Sequence, residues 1–167
     1  YQGADIDAVG AISAATKEIR DLIKIIEENN FVDFDIAFEG NHWRLQDSVK
    51  PELDKLGEVL SAHAFSKGSF ELVGHVAGKG GMHKVCIDSR HQVVDNSRFA
   101  MECWDTDNIW AQTLSERRAQ SVKDYLLKNF AIPEDRIKVY GVGHSEHKFD
   151  DPDNSGNRRV EVKYIKK

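Results

Sequence analysis

Side chains able to do chemistry gather in one stretch of this chain. His83, Cys86, Asp88, His91 and Cys103 are donor types that in combination ligate zinc. Their spacing contains no Cys-x-x-Cys or His-x-x-x-His pair, so no metal is expected. The two cysteines, with 16 residues between them, permit a disulfide and equally two buried free thiols. As a pair they favour an oxidising compartment. His42, His63, His75, His144 and His147 are scattered, and no Ser-His-Asp or Cys-His set follows from their order. No catalytic residue is therefore assigned, and no enzyme is expected. The run Gly78-Lys79-Gly80-Gly81 lacks the Gly-Lys-Ser/Thr ending of a phosphate loop and reads as a hinge, so no cofactor is implied. Trp43, Trp104 and Trp110 offer faces for a sugar ring or for buried aromatic packing.

Composition bounds the rest. The 167 residues are 40% hydrophobic and 31% charged, the balance of one folded domain. With 23 basic against 28 acidic residues the net charge is -5, which lacks the basic footprint a nucleic acid requires. No apolar run approaches the roughly 20 residues that span a bilayer. The chain begins at Tyr1 and carries no basic-then-apolar leader, so the expectation is a mature or excised piece whose leader or anchor lay upstream.

The elements that must position these residues follow from periodicity. Ile12, Ile19 and Ile26 stand seven apart with Ala15, Leu22 and Ile23 between them, a helical stripe over residues 5 to 28 ending at Asn29-Asn30. It suits a helix docked on its own domain or a short coiled-coil stalk pairing with a second copy. Phe34, Ile36 and Phe38 alternate in a first strand, and Asp47 to Phe65 reads as a helix capped by Asp47 or Ser48. Phe70, Leu72 and Gly74 alternate in a second strand ending near Val76. Residues 77 to 112 keep no period, and a stretch of that length is expected to hold a small strand pair or helix and to be functional. Thr113 to Phe130 reads as a helix opened by Thr113 and Glu116 in capping-box spacing. Ile137, Val139 and Gly141, then Val160, Val162 and Tyr164, alternate in two further strands. The order β-α-β-α-β-β gives an α+β sandwich: a mixed sheet with both helices on one face, preceded by the N-terminal helix.

Within this frame the run Leu114-Ser115-Glu116-Arg117-Arg118-Ala119-Gln120-Ser121-Val122, followed by Tyr125-Leu126, resembles the second helix of the OmpA-like peptidoglycan-binding domain. Ile36-Ala37-Phe38-Glu39 with Asn41 and Leu45 resembles that family's first strand and turn, and Gly74-His75 the entry to its ligand loop. Ile132-Pro133-Glu134-Asp135-Arg136-Ile137, Gly141-Val142-Gly143-His144-Ser145 and Asn157-Arg158-Arg159-Val160-Glu161 fit its later segments. The resemblance covers about residues 31 to 167, apart from the insertion at about 77–112, and leaves residues 1–30 as an N-terminal helix and linker.

The resemblance implies a noncatalytic periplasmic domain of a Gram-negative bacterium. Such a domain binds the peptide stem of peptidoglycan, often through diaminopimelate, and anchors a protein tethered to the inner or outer membrane. It assigns Arg118 to the ligand carboxylate, with Leu114 and Ser115 at the helix start; Arg159 either shapes the wall or pairs across the sheet. After Gly-His the family continues Thr-Asp, whose Asp takes the ligand ammonium, whereas this chain has Val76-Ala77. The family's Asn three residues before the helix leucine is here Ala111. Losing a charged hydrogen-bond partner forfeits ~1.5–3 kcal/mol, roughly one to two decades of affinity. Asp105-Thr106-Asp107-Asn108 could return a carboxylate to the site through Asp107, or could instead cap a turn. The alternative function is a partner-binding module, in which Val76, Ala77 and the insertion turn the pocket into a surface for another envelope protein.

Overall fold

The computed structural model describes residues 10–34, 36–39, 41–79, 81–94 and 97–167. Helix α1 (Gly10–Asn29) buries Ile26 completely and packs Ile19, Leu22 and Ile23 on the same core. Residues 5 to 9 of the expected helix lie outside the described residues. Asn30, at φ 61, closes α1 by donating its backbone N–H to the Ile26 carbonyl at 2.8 Å. That left-handed residue, a position asparagine tolerates, turns the chain into β1 (Phe31–Phe34).

The expected helix over Asp47 to Phe65 is three pieces: a 3-10 turn (Asp47–Val49), α2 (Lys50–Leu60) and a second 3-10 turn (His63–Phe65). Neither Asp47 nor Ser48 caps it by its side chain. The Asp47 carboxylate instead meets Lys50 at 2.9 Å. At the far end the Ser61 hydroxyl donates to the Gly57 carbonyl at 2.7 Å, and Ala62 turns extended. These local bonds replace the next helical turn.

The main sheet contains β1, β2 (Ser69–Gly74), β6 (Ile137–Gly141) and β7 (Val160–Ile165) in the order β1-β7-β2-β6. β2 and β6 run parallel, and β7 runs antiparallel to both β1 and β2. The fold is the expected α+β sandwich with a mixed sheet. Phe70, Leu72, Val160, Val162 and Ile137 are buried with Leu53 and Leu56 of α2 and with Ala119, Val122 and Leu126 of α3 (Asp107–Asn129).

Within the insertion the described residues include a second, smaller sheet of β3 (Val85–Ile87), β4 (Val93–Val94) and β5 (Glu102–Trp104), with β3 in the middle and both neighbours antiparallel to it. Cys86 and Cys103 stand opposite one another across β3 and β5 and form a disulfide, which decides between the two states the sequence left open. Asp88 is a turn residue, its carboxylate accepting from the Arg90 and Gln92 backbone at 2.8 and 3.1 Å. Neither cysteine is thus available to a metal. This sheet closes a second core of Val76, Ile87, Trp110, Ala111 and Leu114.

That second core explains why α3 begins at Asp107 rather than Thr113. Thr106 is its cap, accepting from the Ile109 N–H at 3.2 Å, and Thr113 is mid-helix with its hydroxyl bonded back to the Ile109 carbonyl. Burial of Trp110 and Ala111 against the insertion stabilises an opening whose own propensity is low.

Gly74 and Gly141 face each other in the parallel ladder directly beneath α3. A Cβ on Gly74 would collide with the Ser115 carbonyl oxygen, and one on Gly141 would sit 2.5 Å from the Glu116 nitrogen. Backbone cannot move aside as a side chain does, so Gly74→Ala is expected to destabilise the domain by about 1–3 kcal/mol. The three atoms nearest a Cβ on Gly57 all belong to the Phe130 ring, a side chain that can swing. Urea denaturation should place Gly74→Ala well below Gly57→Ala in midpoint.

Candidate functional site

The glycine pair sets α3 low across the strand ends, so that its Asp107, Ala111, Leu114 and Arg118 stripe borders the loop leaving β2. That loop is pinned by its backbone: Val76 N–H donates to Gly143 at 3.1 Å and Gly78 N–H to Pro152 at 2.7 Å. Gly78 takes φ 117, a conformation open to glycine, as it passes under His144. Between loop and helix lies an open cavity of about 550 Å³.

Five of the six expected site residues, Val76, Ala77, Asp107, Leu114 and Arg118, line this cavity; Ser115 does not. Ser115 is fully buried on the sheet side of α3, where its hydroxyl accepts from Gly143 N–H and donates to the Gln112 carbonyl, both at 2.9 Å. It ties the helix to the loop after β6. Sequence reasoning assigned no site role to Phe38, Asn41, His144 and Arg158, which also line the cavity, as does Trp110, one of the three tryptophans it offered for stacking or packing. Arg158, not Arg159, faces the space; Arg159 sits between Asp33 at 3.5 Å and Glu161 at 3.4 Å.

Arg118 is only 7% exposed. Its Nε donates to the His42 carbonyl at 2.9 Å, and the guanidinium carbon lies 5.0 Å from the Phe38 ring centre. Among the described residues it forms no ion pair. Burial, and after it the Arg158 charge, pull its pKa down to about 10, which leaves it a cation at neutral pH. A buried cation without a counter-charge among the described residues, beside an open cavity, has the chemistry to hold a carboxylate.

The earlier helix start also changes the electrostatics. Arg118 lies three turns inside α3 instead of one, beyond the reach of the helix amino terminus. Asp107 occupies that terminus, on the same helix face as Arg118 but about 16 Å along the axis from it. The tryptophans are not open platforms: Trp43 is stacked on His42 at 4.5 Å, and Trp104 packs on Trp110 at 4.6 Å. Arg117 fills the space between Trp43 and Trp104.

Residues 37–161, more than half of the chain, match the OmpA family. The chain belongs to the OmpA family. A putative MotB-like protein from Desulfovibrio vulgaris shares the fold, at 18% identity and TM-score 0.57, over 93% of this chain and 94% of that one. The cell wall anchor of the T6SS from Pseudomonas aeruginosa shares it at 20% identity and TM-score 0.52, over 89% and 96%. The peptidoglycan-associated lipoprotein from Burkholderia pseudomallei does so at 15% identity and TM-score 0.50, over 77% and 87%. No match was found among curated proteins. Membership of this family agrees with the expectation of a noncatalytic domain. No described helix is long and apolar enough to cross a membrane.

Two buried histidines flank this OmpA-family site. Burial above all, then Arg44 for His42 and Arg159 for His75, holds both pKa values below the ordinary 6.5. The 3.5 Å approach of His75 to Glu161 is therefore no salt bridge at neutral pH. The unfolded chain binds these protons more readily than the fold does, so stability rises with pH between the folded and unfolded values. Urea midpoints should fall as pH drops below about 6.5, and fall less steeply in His42→Asn.

Proposed function

We propose that this domain binds the peptide stem of peptidoglycan in the periplasm of a Gram-negative bacterium and so anchors a membrane-tethered protein to the cell wall. The observation that carries the reading is Arg118: buried, charged, without an ion pair among the described residues and exposed to the cavity along one edge. Its two terminal nitrogens suit a ligand carboxylate held side-on. Arg158 adds positive charge, and Asp107 supplies the carboxylate for a ligand ammonium in place of the acid replaced by Ala77. A diaminopimelate-type residue, whose end outside the peptide chain keeps a carboxylate and an ammonium, offers both partners. The Cys86–Cys103 disulfide fits an oxidising compartment.

A second reading has its own support. The insertion exposes Met82 (79%), Phe99 (69%) and Met101 (51%), apolar side chains that a wall-binding role leaves unused and an envelope protein partner would cover.

Sedimentation with purified sacculi separates the two. The parent should co-sediment and Arg118→Ala should lose at least one to two decades of affinity, the worth of a charged hydrogen bond, ~1.5–3 kcal/mol. Absence of binding by the parent would leave the partner-module reading. Asp107→Ala should weaken binding of a soluble diaminopimelate stem peptide about tenfold in calorimetry; unchanged affinity rejects Asp107 as the ammonium partner. Ala77→Asp, which restores an acid beside the cavity, should tighten it.

A further inference from the structure

The residue before the anion-gripping arginine is occupied elsewhere. Arg117 lies with its guanidinium carbon 4.6 Å from the Trp43 ring centre and 5.4 Å from that of Trp104. Its Nη2 donates to Glu102 at 2.9 Å. Glu102 and Trp104 flank Cys103 on β5, which the disulfide ties to β3. Trp43 is also touched by His91, at 4.7 Å, from the turn between β3 and β4. Trp43 is thus held from two directions, by the Arg117 cation of α3, which Glu102 and Trp104 of the small sheet fix in place, and by the His91 imidazole at the hairpin tip.

Trp43 follows His42, and the His42 carbonyl is the acceptor that fixes Arg118 Nε at 2.9 Å. His42 Nδ1 accepts the Arg44 N–H at 2.8 Å, which makes residues 42–44 one tight turn. Consecutive residues on a helix point about 100° apart, so Arg117 reaches the insertion while Arg118 reaches the cavity. The two arginines meet again through this turn.

We infer that the inserted sheet is a positioning clamp: it holds Trp43 against Arg117, and thereby holds the His42 carbonyl that orients the Arg118 guanidinium. The inference deepens the stem-peptide reading, on which the consequence for affinity rests. A guanidinium already oriented loses less freedom on binding, so the clamp raises affinity without touching ligand. Trp43, Arg117 and Trp104 are then positioning residues acting through Arg118. The competing explanation is that the turn holds itself, through the Phe38–Leu45 bridge and the Glu39 N–H bond to the Arg44 carbonyl at 3.0 Å.

The test reads Arg118 Nε–H exchange by NMR in the free protein, then affinity for a soluble diaminopimelate stem peptide. Trp43→Ala should speed exchange at least tenfold and weaken binding about tenfold, with Trp43→Phe restoring both. In an Arg118→Lys background, which lacks the Nε donor, Trp43→Ala should change affinity less than twofold. Unchanged Nε–H exchange in a folded Trp43→Ala domain overturns the clamp. Should that variant not fold, Arg117→Gln, which leaves both tryptophans in place, gives the same reading by the same criterion. Faster exchange in Trp43→Ala, together with a parent that binds no stem peptide, would support the clamp while removing the function proposed above.

Discussion

The close approach of α3 to the ends of β2 and β6 is the constraint from which the site follows. Two strand glycines in register, Gly74 and Gly141, leave no side chain between sheet and helix. The Gln112 side-chain amide then reaches the Gly141 carbonyl, and Ser115 bridges to Gly143. With the helix axis fixed at that height, the face bearing Ala111, Leu114 and Arg118 can only look onto the loop that leaves β2. A larger residue at either glycine would lift α3 and open the cavity at its base.

On that frame the charge balance is set by one missing acid. The resemblance expects a carboxylate where Ala77 stands, and a carboxylate there would partly neutralise Arg118. Its absence leaves a desolvated cation whose pKa is drawn down to about 10 with Arg158 adding to the effect. Such a group is destabilising in the free protein by the loss of its hydration. Part of that cost is offset by the His42 carbonyl and by the Phe38 ring under the guanidinium.

How much of this was legible in the sequence depended on which core a residue serves. Strands β2, β6 and β7 alternate because one face meets α2 and α3, so their apolar residues announce them. Within residues 107–112, Trp110 and Ala111 belong to the second core, which the insertion builds, and nothing in the spacing of the stretch records that contact, so the capping-box spacing at Thr113 points to a start six residues late. The disulfide was open because pairing across β3 and β5 is a matter of register, invisible without the strands. Ser115 looked like a ligand residue by its place in the motif, yet its side chain points to the sheet. Arg159 was open between shaping the wall and pairing across the sheet, and its contacts with Asp33 and Glu161 decide for the second, while Arg158, which no motif singled out, lines the cavity.

The insertion is not an appendage that could be trimmed without consequence to the site. It leaves the main fold at Gly78 and returns through Asp107, so both of its ends are walls of the cavity. Its disulfide closes a loop with a sequence separation of 17, worth about 3 kcal/mol in chain entropy. That stabilisation is spent on β3 and β5, whose Ile87 and Trp104 pack on Trp110 and Leu114, and these in turn hold the first turns of α3. Without the small sheet the low-propensity opening of the helix would fray, carrying Asp107 and Trp110 out of the cavity. The segment that departs most from the family pattern is thereby the one that completes the wall the pattern leaves open.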